Sequence, residues 1–138
     1  MGEEKRGLGI IFHSGVYDRV YHRLSIALAA SASGKDVKLF FTYWALEYLK
    51  KKNPNVNRLD KEAKEHEEIL EKSKKRGHLT PISESINLAE AMGAKFYVYT
   101  SSMSLLNIAR NKLCEEVGKT MGTTTFLAEV NSDQIIFI

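Results

Sequence analysis

Few residues in this 138-residue chain are equipped for covalent or ligand chemistry. There is one thiol, Cys114, and there are four imidazoles, His13, His22, His66 and His78. A thiolate can attack or accept sulfur, and an imidazole can move a proton near neutral pH. The histidines are scattered and lack metal-ligand spacing, so no metal is expected. His13 alone stands at the end of an apolar run. There it could serve as a general base, an anion ligand or a hydrogen-bonded structural histidine. The densest cluster of hydroxyls is Thr100, Ser101, Ser102 and Ser104, with Met103 among them, directly after Phe96-Tyr97-Val98-Tyr99. His13 and Ser14 do not form part of a triad, because adjacent residues at a strand end point to opposite sides. The chain contains no Walker lysine loop, no G-x-G-x-x-G, no G-x-S-x-G and no C-x-x-C. No cofactor is expected.

The elements that must position these residues follow from hydrophobic spacing. Residues 7–15, GLGIIFHSG, read as a buried strand and a turn. Asp18 is expected to cap the next helix, which carries Val20, Leu24, Ala27, Leu28 and Ala32 on one side and ends near Gly34. Residues 36–44, DVKLFFTYW, read as a second strand covered on both faces, followed by a short helix that Asn53-Pro54-Asn55 ends. Residues 58–76 are the most charged stretch. Leu59, Ala63, His66 and Leu70 form one narrow stripe with Ile69 beside it, which suggests an exposed helix or mobile excursion. Asp60–Lys64, Glu68–Lys72 and Glu71–Lys75 are acidic-before-basic pairs worth about 0.2–0.5 kcal/mol each. Residues 77–81 break this run, and Ile82–Met92 form a further amphipathic helix ending at Gly93.

The hydroxyl cluster then follows the third strand. A helix is expected from about Ser104 to Val117, with Leu105, Ile108, Ala109, Leu113 and Cys114 inward. Gly118 and Gly122 bracket a turn, Thr123–Val130 form a short helix, and residues 134–138 make a last strand. Strands alternating with helices predict an α/β domain. It is one flavodoxin-like unit spanning 1–138, with a mostly parallel four- to five-stranded sheet, helices on both faces and a charged helical excursion at about 53–80.

In such sheets ligands bind beyond the carboxyl ends of the strands. Three segments converge there: His13-Ser14-Gly15 after the first strand, Thr42-Tyr43-Trp44 after the second, and Thr100-Ser101-Ser102-Met103 after the third. These ten residues are the candidate ligand-binding set. A helix starting near Ser102–Ser104 would favour an anion, although Ser102 and Ser104 fit an N-cap role equally well. Tyr43 and Trp44 suit helix packing or a subunit interface as well as a ligand.

Composition narrows the function classes. Hydrophobic residues make up 43% and charged residues 27%, as in ordinary globular proteins. The net charge of +3 gives no reason to expect nucleic acid. The runs Lys50–Lys52 and Lys72–Arg76 read as solvated helix ends. A lone cysteine makes no internal disulfide, no apolar run approaches a bilayer's thickness, and the first residues lack a signal peptide's apolar region. A cytoplasmic protein with no membrane contact is the expectation.

Four stretches resemble the DsrE/DsrF-like proteins, including the subgroup labelled peroxiredoxin-like. They are His13-Ser14-Gly15-Val16-Tyr17-Asp18-Arg19, residues 36–46 (DVKLFFTYWAL), residues 94–104 (AKFYVYTSSMS) and Gly122-Thr123-Thr124-Thr125-Phe126-Leu127. The resemblance implies the flavodoxin-like fold and assembly as trimers or hexamers. It also implies sulfur carried as a persulfide or thiosulfonate on a cysteine and passed to a TusA-like partner. In sulfur-carrying members that cysteine stands in a Cys-x-Met-Ser arrangement, which places Ser101 at its position. A serine hydroxyl is not ionised at neutral pH and cannot hold a persulfide. The leading expectation is therefore a DsrE/DsrF-like protein of sulfur metabolism without the carrier cysteine. It would bind a small ligand or act as a non-catalytic subunit beside a TusA-like or DsrE-like partner. The alternatives are a sulfurtransferase using Cys114, or an oxidoreductase binding a nucleotide or flavin at the sheet edge.

Overall fold

A computed structural model describes residues 7–52, 58–131 and 133–137. The expected helix stop at Asn53-Pro54-Asn55 and the end of the last strand at Ile138 lie outside them.

Five parallel strands form one sheet in the order β4-β3-β2-β1-β5. They are β1 (Leu8–Phe12), β2 (Val37–Phe41), β3 (Lys95–Tyr99), β4 (Val117–Met121) and β5 (Gln134–Phe137). Leu8 pairs with Val37 and with Gln134, so β1 is the centre from which the chain first builds outward in one direction. After β4 the chain returns to place β5 on the other side of β1. The strand order therefore reverses at β1 and β5.

The helices are α1 (Tyr17–Ala32), α2 (Glu67–Lys75), α3 (Ile82–Ala91), α4 (Thr100–Leu106) and α5 (Thr123–Glu129). Side chains alternate along a strand, so the inner strands feed two cores. Leu8, Ile10, Phe12, Leu39, Phe41, Phe96 and Val98 meet Val20, Leu24, Ala27, Ile86 and Ala89 of α1 and α3. The opposite face carries Phe40, Tyr97 and Met121 against Phe126 and Val130. A seven-residue helix such as α5 is marginal alone. It is held by Phe126, fully buried and stacked on Phe40 at 4.4 Å between ring centroids. Burying that ring contributes about 1.5–3 kcal/mol.

Several expectations need correction. Asp18 lies inside the first turn of α1, and Val16 occupies the cap position. Ala32 is exposed. The second strand ends at Phe41, because Tyr43 takes a left-handed conformation (φ 48°) and starts a 3₁₀ helix over Tyr43–Leu49. Asp60 pairs with Arg19 at 2.8 Å instead of Lys64, whereas Lys72 and Glu68 do pair at 3.2 Å. No helix runs to Val117. Asn107, in the left-handed region at φ 53°, ends α4. Ile108 N–H then closes the turn on Met103 O at 2.9 Å. Leu105 is exposed and Cys114 lies in a loop, not in a helix body. Gly118 belongs to β4, not to a turn. An edge strand bonds to one neighbour only, and in β4 only Val117 and Met121 are buried, so VGKTM shows no apolar run.

Candidate functional site

The carboxyl ends of β1, β2 and β3 bring together the loops that carry the candidate residues. The backbone after β1 is fixed first. Ser14 Oγ accepts Val16 N–H at 3.1 Å and lies 3.4 Å from the Arg19 guanidinium, which donates to it. The carbonyl of Gly15 accepts the Tyr48 hydroxyl at 2.9 Å. A Cβ at Gly15 would lie 2.9 Å from Trp44 Cβ and 3.0 Å from Trp44 O. Only glycine lets the 3₁₀ helix approach this closely.

The segment after β2 is pinned from both sides. Thr42 is buried, and its hydroxyl donates to Phe12 O at 2.9 Å. Tyr43 N–H donates to Ser102 Oγ at 2.6 Å, and Ser102 is fully buried. A non-glycine residue in the left-handed region costs roughly 1–3 kcal/mol, so this bond helps hold a strained backbone in place. The Tyr43 and Trp44 rings lie outside the core. Both are exposed, Trp44 at 46%.

The exposed result is an aromatic edge. His13 meets Tyr43 edge-on at 5.0 Å, and Tyr43 meets Tyr99 edge-on at 6.0 Å. Phe137 of β5 lies 5.9 Å from His13 on the other side. This row runs across the strand-order reversal, where α/β sheets bind ligands. Tyr99 and Phe137 were not in the sequence-derived set. The signal for Phe137 was available in the final apolar run, but its place beside His13 depends on β5 pairing with β1.

The ten candidates divide into groups. His13, Ser14, Tyr43 and Trp44 border the aromatic edge, with Gly15 supporting it. The hydroxyls of Thr42 and Ser102 are buried and committed to backbone groups. Thr100 and Met103 line a separate shallow cavity of about 370 Å³ with Asn107 and Thr120. Ser101 is exposed in the first turn of α4.

Cys114 is elsewhere. It precedes the N-terminal end of β4, and its N–H donates to Leu49 O at 2.7 Å. The four steps of β4 put about 13 Å between that end and the carboxyl edge. Burial pushes the thiol up to about 11, and the neighbouring Glu116 carboxylate adds to the rise by hydrogen bond and charge. Asn87 of α3 holds Glu116 at 3.3 Å. Among the described residues no three His, Cys, Asp or Glu side chains are grouped to hold a metal, and no helix is long and apolar enough to cross a membrane.

Comparison with known proteins agrees with this architecture. Two solved structures share the fold. One is the ychN protein from E. coli, 16% identical, with a TM-score of 0.66 over 96% of this chain and 99% of that one. The other is the protein of unknown function MTH1491 from Methanobacterium thermoautotrophicum, 12% identical, with a TM-score of 0.63 over 98% and 100%. A search of curated proteins gave no match. Residues 4–68, which hold β1, α1, β2 and the strained Tyr43 turn, match the DsrE/DsrF/DrsH-like family.

Proposed function

We propose that this protein is a ligand-binding or partner subunit of sulfur metabolism that does not itself carry sulfur on a cysteine. The match of residues 4–68 to the DsrE/DsrF/DrsH-like family supports a role related to sulfur metabolism. The observation that carries the finer reading is the separation of thiol from site. Ser101 occupies the position where the resemblance places a carrier cysteine. The one thiol, Cys114, is at the opposite end of β4 with its pKa raised to about 11. Such a thiol is almost wholly protonated at neutral pH, and only the thiolate accepts sulfane sulfur. The binding edge is His13, Ser14, Tyr43 and Trp44, with Thr100, Ser101 and Met103 beyond it.

The chain also assembles with copies of itself, as a trimer or hexamer, or docks a TusA-like or DsrE-like partner. The support is exposed apolar surface on the α5 side of the sheet and its edge: Phe137 at 61%, Leu127 at 48% and Ile135 at 43%. Among the described residues only α5 and Val130 cover that face, and exposed apolar surface marks interaction sites.

The test is intact-mass spectrometry after incubation with polysulfide or tetrathionate, with Cys114→Ser as control. No stable gain is expected in either protein. A gain present in the native chain and lost in Cys114→Ser overturns the reading and makes the protein a sulfur carrier with a displaced cysteine.

A further inference from the structure

Residues 58–80 form an outer layer over α1. Not one of them is buried, and in α2 Ile69 is 64% exposed. The next helix, α3, buries Ile82, Ser85, Ile86 and Ala89. Leu59, Leu70 and Leu79 touch the main core and stay partly exposed. Between this layer and α1 is a cavity of about 450 Å³, lined by Leu59, Ala63, Leu70 and Leu79 on one side and by Tyr17 and Tyr21 on the other. A nine-residue helix is marginal alone and depends on what it packs against. Here much of that packing is empty space.

The layer is tied to α1 at points along its length. At its start Tyr17 N–H donates to Arg58 O at 2.7 Å, and Arg19 pairs with Asp60 at 2.8 Å, both side chains partly exposed. In α2, Lys74 Nζ lies 4.2 Å from the centre of the Tyr17 ring. At its end Thr80 N–H donates to the Tyr21 hydroxyl at 3.3 Å. Segments with few buried apolar contacts and exposed polar ties open more readily than the core. We propose that residues 58–80 are a strap that opens from α1 and closes on it as one unit, with the Arg19–Asp60 pair as a latch. Opening uncovers the apolar cavity. It also releases Arg19 from Asp60, and the same guanidinium donates to Ser14 Oγ at 3.4 Å. The latch therefore reaches the loop after β1. The inference does not depend on what the aromatic edge binds.

The test is hydrogen–deuterium exchange, read by mass spectrometry on peptides from the strap, α1 and α3. The α2 amides should share one level of protection, lower than that of α3 and the body of α1. Asp60→Asn removes the charge but keeps an oxygen for the Ala63 N–H that Asp60 Oδ1 accepts. It should speed exchange throughout α2 by about two- to fivefold, the worth of an exposed ion pair, and leave α3 and the body of α1 unchanged. Arg19→Gln should do the same from the other side of the pair. Added sodium chloride screens the pair and should narrow the difference between the native chain and Asp60→Asn. Glu47→Gln breaks an exposed pair with Lys50 outside the strap and should leave the strap unchanged. Protection of α2 equal to that of α3, an Asp60→Asn effect confined to the residues beside position 60, or an equal rise in α3 overturns the inference.

Discussion

Cys114 should be a slow thiol, and the structure says by how much. With its pKa at about 11 against an ordinary 9.0, the thiolate fraction at pH 8 falls from about 9% to about 0.1%, roughly 90-fold. Each remaining thiolate is more basic and so more nucleophilic. With a Brønsted slope near 0.4–0.5, that returns about 6–10-fold, leaving the folded thiol about tenfold slower from electronics alone. Partial burial adds to this. The assay is reaction with an aromatic disulfide such as Ellman's reagent, followed by release of the coloured thiolate, in native buffer and in guanidinium chloride. The native rate should also keep rising with pH toward about 11, instead of levelling near 9. Glu116→Gln removes the second cause and should speed the native reaction without reaching the unfolded rate. Equal native and unfolded rates at pH 8 would refute the reasoning and restore Cys114 as a candidate sulfur carrier. The same shift has a consequence for stability. The folded state favours the protonated thiol, so its contribution is fully present below pH 9 and is lost as pH rises through about 11.

Other tests address the edge itself. Ser102→Ala leaves the partly buried Tyr43 N–H without its acceptor, at a cost of about 1–3 kcal/mol, and should lower the melting temperature by roughly 3–10 °C. Gly15→Ala forces a Cβ against Trp44 and should cost about 1–3 kcal/mol by overpacking, visible in urea unfolding as a lower midpoint at unchanged slope. Light scattering at micromolar concentration should give a mass above the monomer. Phe137→Asp should reduce it, and a monomeric native chain would remove the assembly proposal.

The sequence alone carried the parts of the fold written as strong periodic signals. LGIIF, VKLFF and KFYVY are apolar because their strands are covered on both faces, and α1 shows its buried stripe at helical spacing. Gly34 and Gly93 announce their helix ends, both with positive φ. The convergence of His13, Thr42 and Thr100 on one sheet edge followed from the α/β order itself, because parallel strands bring their carboxyl ends to one side. The chain's own residues also set the chemical limit, one thiol and a serine at position 101.

Tertiary structure decided the rest. β4 was illegible because an edge strand with three of its five residues outside the core has no apolar run to read. The stop at Asn107 and the turn at Tyr43 depend on single residues in left-handed backbone, and no periodicity records them. Two of the predicted contact hydroxyls, Thr42 and Ser102, are consumed by backbone groups of neighbouring strands and loops. Phe137 reaches His13 only because β5 returns to pair with β1. Each of these depends on contacts between residues far apart in the chain, which spacing along it does not encode.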